Sequence, residues 1–190
     1  MLKNKEILIL VAAYTLLLLV MFILPWYSTP EYSIMNNTLS QLGAQNTPNA
    51  WIMNLTFVSL GISSVIAGWK YFEGFAFQRL FLLLFGISLT LAAFYNHAPI
   101  NTLTQFKISE DGWHSYFIFT AVLTFIILSV SSTFIPEKRA DRLLAIVVGI
   151  SVLFLSILMS EATQTAGVWQ RLSFIISFGW MIYSFKTREL

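Results

Sequence analysis

"ILILVAAYTLLLLVMFIL", residues Ile7 to Leu24, is an apolar run without a single charged side chain. A helix needs about 20 such residues to cross the hydrocarbon core of a bilayer. The run exceeds the roughly 7–15 apolar residues of a cleavable leader, although Lys3 and Lys5 precede it as a basic start would. No small-residue cleavage pattern follows. Instead come Pro25, Trp26 and Tyr27, and amphipathic rings of that kind collect at the membrane–water boundary. The stretch reads as an uncleaved first span.

The rest of the chain repeats this pattern. With its flanks the first block covers about Glu6–Trp26, and five more follow: Ala50–Trp69, Arg79–Tyr95, Trp113–Ile135, Arg142–Ser160 and Gly167–Phe185. Over all 190 residues, 57% are hydrophobic and 11% charged, and the mean hydropathy is +0.73. A soluble domain carries roughly 25% charge, so a water-facing surface of this size could not be covered. Backbone groups in hydrocarbon must bond within their own segment, as a helix does; membrane strands would alternate over ~10 residues, and no such alternation is seen. The expected fold is all-α, a six-transmembrane-helix bundle forming a single integral membrane domain over residues 1–190.

The basic residues orient it. If the spans alternate, Lys3, Lys5, Lys70, Arg79, Lys138, Arg139, Arg142, Lys186 and Arg188 fall on one side, and only Lys107 and Arg171 on the other. Lys and Arg accumulate on the cytoplasmic side, so both termini are expected there, in the cell membrane. The longer links, Tyr27–Asn49 and Asn96–Gly112, are then external. In the first, Thr29-Pro30-Glu31 looks like a helix start, Ile34, Met35, Leu39 and Leu42 follow at helical spacing, and Gly43 suits a stop. This predicts a short external amphipathic helix between spans one and two, lying on the outer surface or capping the bundle. Thr47-Pro48 repeats the start signal before span two.

Small residues let membrane helices approach closely. At 100° per residue, Asn54, Gly61 and Gly68 share a face, as do Gly86, Thr90, Ala93 and His97, and Ala145, Gly149, Ser156 and Ser160. These three stripes are the expected helix contacts. His97 continues the second, so it should point into the bundle near its outer end. Arg171 has two readings: a side chain reaching the outer interface, or a partner for Glu161 across the link between spans five and six.

"SEDGWHSYF", Ser109 to Phe117, opens span four on the same outer side. Antiparallel neighbours pack together, which brings His114 near His97. Glu110, Asp111, Glu161, Gln164 and Arg171 share that level, as does Ser40 of the external segment. Three readings of this group stand. It is a metal or hydrolase site, with His97, His114 and a carboxylate activating water against a lipid ester or amide. It is a binding site for a lipid headgroup or small ligand, with Arg171 holding an anion. Or it is only a helix start, with Glu110 and Asp111 favoured by the macrodipole and Trp113 at the interface.

Other chemistry is excluded. There is no cysteine, hence no disulfide, thiolate metal site or Cys nucleophile. H-E-x-x-H, G-x-S-x-G, the P-loop and the dinucleotide fingerprint are all missing, so no cofactor is expected. A net charge of +2 gives no case for nucleic acid. No span centre holds Asp, Glu, Lys, Arg or His, which argues against a proton-coupled pump.

Three elements together resemble a known family. "LSQLGAQNTPNAWIMN" after span one supplies Ser40, Leu42, Gly43 and Pro48, with Gln41 where the family often has Asp. Asp111 and His114 form an acid-x-x-His start to span four, although Pro99 lies further upstream than the family pattern. "GVWQRLSF" supplies Gly167, Gln170 and Arg171. The chain is similar over about Ile7–Phe185 to the six-span bacterial and archaeal membrane proteins grouped as domain of unknown function 998. The resemblance implies fold and location, no established activity, and a joint role for Ser40, Asp111, His114 and Arg171. Ceramidase-like and adiponectin-receptor-like hydrolases are also compact bundles, but their several-His zinc pattern is missing, since only two His are present. The expected site is therefore a ligand pocket built from Ser40, His97, Asp111, His114, Glu161 and Arg171, without metal. Its partners are membrane lipids and a lipid or small-molecule ligand. A membrane-embedded lipid hydrolase is the alternative.

Overall fold

The computed structural model of the chain describes residues 5–187. Among these residues the fold is all-helical: α1 (Lys5–Ile23), α2 (Leu39–Leu42), α3 (Ala50–Tyr71), α4 (Ala76–Ala92), α5 (Ile108–Ser131), α6 (Arg139–Glu161) and α7 (Ala166–Thr187). Short 3-10 turns cover Leu24–Tyr27, Ser132–Phe134 and Thr163–Thr165. The six long helices follow the six apolar blocks. The largest shift is at α5, which starts at Ile108 rather than Trp113. Of the basic residues used to orient the chain, Lys3 and Arg188 lie outside the described residues.

Four helices, α1, α3, α5 and α6, are long and apolar enough to cross a membrane, and the chain is membrane-embedded. Helix α4 is a 17-residue apolar segment, shorter than the rest. Helix α7 is long but falls outside the apolar set. Its surroundings explain why. Phe178 stacks on Tyr14 of α1 and tilts against Phe85 of α4; Phe174 stacks on Phe57 of α3; Trp180 meets Phe125 of α5 edge-on. Helix α6 packs along it as well. With five helices around it, α7 faces protein more than lipid, so it can bury Gln170, Arg171, Ser177 and Ser184.

The stripes of small residues place the helix contacts. Gly61 of α3 lies against Gly86 of α4: a Cβ on Gly61 would come within 2.5 Å of the Gly86 carbonyl, and one on Gly86 within 2.7 Å of the Gly61 carbonyl. Only glycine on both sides permits that approach, which maximises dispersion contact where lipid tails weaken any hydrophobic drive to associate. On the third stripe, the Ser129 hydroxyl of α5 donates to the Ala145 carbonyl of α6 (2.6 Å). Most other intramembrane hydroxyls bond their own helix: Thr56 to the Ile52 carbonyl, Ser64 to Leu60, Thr120 to Tyr116 and Ser156 to Val152. These bonds satisfy polar groups that hydrocarbon would otherwise strand.

The external helix differs from expectation. Residues 29–37 form turns rather than a helix beginning at Thr29, and the helix is the single turn Leu39–Leu42. Thr38 caps it in a reciprocal box: its hydroxyl accepts from the Gln41 N–H, and the Gln41 side chain accepts from the Thr38 N–H. That box, Thr38-x-x-Gln41, outcompetes the Thr29-Pro30 signal because it satisfies two orphan donors at once. Of the two expected placements, the turn takes the one packed against the bundle rather than laid on its outer surface. Leu39, Ser40 and Leu42 are buried, so this segment is part of the core. Likewise α3 starts after Asn49, which takes a left-handed conformation (φ 59°), rather than at the Thr47-Pro48 cap.

Candidate functional site

The candidate residues gather where α1, α4 and α6 end and α3, α5 and α7 begin. Polar contacts tie the connecting segments there. Asn54 of α3 donates to Asn96 Oδ1 (3.0 Å) and to the Gly43 carbonyl. Gln45 donates to the carbonyls of Asn96 and Lys107 and accepts from the Lys107 N–H (2.8 Å). The link after α4 is thus laced to the link before α3.

His97 and His114 come together, with ring centres 5.2 Å apart. Asp111 lies one turn before His114. Its Oδ1 accepts from the Ala98 N–H (2.7 Å) and lies 3.1 Å from His97 Nδ1. Asp111 therefore fixes the loop and sits beside the His97 ring. Glu110 is engaged elsewhere, with Lys107 (2.8 Å). That contact raises the Lys107 pKa through the hydrogen bond and charge of Glu110.

His114 is 2% exposed. Its Nδ1 lies 2.8 Å from the Ala92 carbonyl and 2.7 Å from the Tyr95 carbonyl, at the end of α4. Carbonyls only accept, so Nδ1 must carry a proton. In the uncharged ring Nε2 then holds a bare lone pair, and it has no partner in the protein. Ser40, 3% exposed, has a hydroxyl in the same condition. Both side chains line one cleft of about 480 Å³. Thr38, Ser40, His97, His114, Ser115 and Gln170 bring polar groups to it, as do Ser156 and Ser160, and the rest of its walls are apolar side chains of α5 and α6. Phe119, Leu123, Leu153 and Ile157 on those walls are exposed, so the cleft opens sideways between the two helices, where acyl chains would lie. A smaller chamber of about 60 Å³ adjoins it toward α7, sharing Ile118, Val122, Ser156, Met159 and Gln170.

Arg171 is placed differently from both expectations. It neither reaches the interface nor pairs with Glu161, which is exposed at the end of α6. Its guanidinium is buried under the 32–38 segment. Nη1 donates to the carbonyls of Ile34 (2.8 Å), Asn37 (3.1 Å) and Gly167 (2.9 Å); Nη2 donates to the Tyr32 hydroxyl (2.8 Å). Tyr32 in turn donates to the Thr38 carbonyl (2.9 Å). Burial raises the Tyr32 pKa, opposed in part by Arg171. The donors are directed to protein carbonyls and the Tyr32 hydroxyl, and Arg171 does not line the cleft.

Gly167 and Gln170 complete this clamp. A Cβ on Gly167 would meet the Arg171 Nη1 at 2.9 Å and the Ile34 and Asn37 carbonyls closer still. Gln170 Oε1 accepts from the Leu39 N–H, an orphan donor at the first turn of α2. Gln170 was not among the candidate site residues, yet it both holds α2 and lines the cleft. Its signal was its place beside Arg171, one turn after Gly167. Together Gly167, Gln170 and Arg171 hold the 32–42 segment, and with it Ser40, against α7.

Three motifs of the chain thus converge on one structural unit, and a family comparison covers the same span. The chain belongs to the family described as protein of unknown function DUF998. The family model matches residues 11–185. No curated protein and no solved structure matches the chain. All three motifs fall inside the DUF998 match, and each holds one side of the unit. Among the described residues, no group of three His, Asp or Glu side chains is placed to hold a metal ion.

Proposed function

We propose that this DUF998 protein spans the membrane six times, with both termini cytoplasmic, and binds a membrane amphiphile in an outward-facing cleft between α5 and α6. The carrying observation is that two buried polar atoms, Ser40 Oγ and His114 Nε2, are unpartnered in one cleft whose walls are apolar and open to the side. A stranded polar group in a buried site costs about 1–3 kcal/mol, which a polar headgroup would recover while its chain fills the groove. Asp111 and Arg171 serve this site by positioning the segments that carry its lining, and His97 is part of that lining.

The test is photolabelling of the purified protein with a lipid carrying a diazirine in its acyl chain. Crosslinked peptides from α5 and α6, competed by excess unlabelled lipid, support the reading; label spread evenly over all lipid-facing helices overturns it. Topology is checked separately. The chain has no cysteine, so single cysteines at Glu31 and Asn101 should react with an impermeant thiol reagent from outside, and those at Glu73 and Glu137 should not.

A second reading is acyl-ester hydrolysis. It is favoured by the same pair, a hydroxyl and an imidazole lone pair facing one cleft, the materials of a nucleophile and its base. Release of fatty acid by the wild type, lost in both Ser40→Ala and His114→Asn, would select it over binding alone.

A further inference from the structure

Resting on the cleft reading above, we infer that the amphiphile it takes carries an uncharged, hydroxyl-bearing headgroup, drawn from the surrounding bilayer. The first reason is the sense of the hydrogen bonds. His114 Nδ1 is committed as a donor to the Ala92 and Tyr95 carbonyls, so Nε2 can only accept from a ligand while the ring is uncharged. His97 is oriented in the same way: Nδ1 faces Asp111 and the Ala98 carbonyl, leaving its far nitrogen as the free one. An imidazole lone pair requires a donor opposite it. A carboxylate or phosphate diester has none, whereas a hydroxyl has a proton to donate to His114 and lone pairs to accept from a donor such as the Ser40 hydroxyl.

The second reason is charge. No Lys, Arg, Asp or Glu lines the cleft. The nearest buried cation on α7, Arg171, has its Nη donors directed to carbonyls and to Tyr32, away from it. Asp111 is held by His97 and Ala98. An anionic headgroup would enter a buried site with no counter-charge, and a cationic one would find no carboxylate; both are strongly unfavourable. A glycerol or long-chain alcohol headgroup meets neither obstacle.

The third reason is shape. Ser40, His97 and His114 line a cleft of about 480 Å³ whose other walls are mostly apolar, Val122, Ile126, Leu153 and Ile157 among them, while the Ser156 and Ser160 hydroxyls there bond their own helix. That is a place for a hydroxyl head and the first part of one chain, not for a bulky sugar or a two-chain lipid lying wholly inside.

The experiment uses the full chain in nanodiscs of zwitterionic lipid, with a diazirine-bearing monoacylglycerol as label. Competitors are monooleoylglycerol, oleate and 1-oleoylglycerol 3-phosphate, which share one acyl chain and differ in head charge. Monooleoylglycerol should displace the label from α5 and α6 at about tenfold lower concentration than either anion. Ser40→Ala, which removes a hydroxyl that no protein group bonds, should weaken that displacement about fivefold or more without lowering the melting temperature. His114→Asn, whose amide can still donate to the Ala92 and Tyr95 carbonyls, should do the same. Label in the cleft that the anions displace equally well, or that both variants leave unchanged, overturns the headgroup assignment while leaving the cleft reading standing. No competable label on α5 or α6 overturns both.

Discussion

Arg171→Met offers the sharpest test of how the site is held together. The substitution keeps much of the apolar stem and removes the guanidinium. The carbonyls of Ile34, Asn37 and Gly167 and the Tyr32 hydroxyl then lose their donor. Nη1 has two protons for three carbonyls, so the loss amounts to about three full hydrogen bonds, including the one to Tyr32, besides the long Nε bond to the Met21 carbonyl (3.5 Å). Bonds to a charged donor contribute roughly 1.5–3 kcal/mol each, but the variant also avoids the cost of burying the cation, which offsets part of this. A net destabilisation of about 3–5 kcal/mol follows. For a chain of this length, that is a fall in melting temperature on the order of 10 °C. Thermal unfolding in detergent measures it, and limited proteolysis locates it: new cleavage should appear within residues 29–38. Arg171→Lys should recover only part of the loss, because a single ammonium cannot span both Tyr32 and the Ile34 carbonyl. If Arg171→Met melts within about 2 °C of wild type and residues 29–38 stay protected, the clamp is not what holds Ser40 in place.

Other outcomes follow from the same contacts. Gly167→Ala should reproduce most of the Arg171→Met loss, since the new methyl displaces the Ile34 and Asn37 carbonyls from Nη1; a melting curve decides it. Gly86→Ala forces α3 and α4 apart at Gly61, with an expected cost of about 1–3 kcal/mol by overpacking, again read from thermal unfolding. Lys107→Ala removes an exposed pair with Glu110 and should leave the melting temperature unchanged in low and high salt alike. Tyr32 has a folded pKa raised above 10.0, chiefly by burial. Its contribution to stability is full below that value and lost as pH climbs through the raised one, so Tyr32→Phe should show a shallower alkaline loss in a pH series of melting curves.

Much of the fold was legible in the amino-acid order because lipid imposes a simple demand. Every span must be apolar and bonded within itself, and the apolar blocks became helices, four of them long and apolar enough to cross a membrane. The stripes through Gly61 and Gly86 were legible for a related reason: a helix repeats every 3.6 residues whatever its neighbours, so residues at that spacing share a face. The pairing of His97 with His114 followed from adjacent antiparallel helices and a shared end.

What the order of residues could not carry was which helix stands in the middle. Arg171 on an outer helix would have to reach water, and that is how its position near the start of the last block reads. With five helices around α7, the same side chain is enclosed by carbonyls from a distant segment, and its meaning changes from anion holder to clamp. Ser40 changes in parallel, from a surface hydroxyl to a buried one. Glu161 moves the other way, ending α6 on the exposed face. Burial is a property of the whole packing, since the partners that desolvate a group lie more than a hundred residues away in the chain. Helical periodicity shows only a side chain's bearing; the assembled bundle decides whether that bearing points to lipid, to water or into the core.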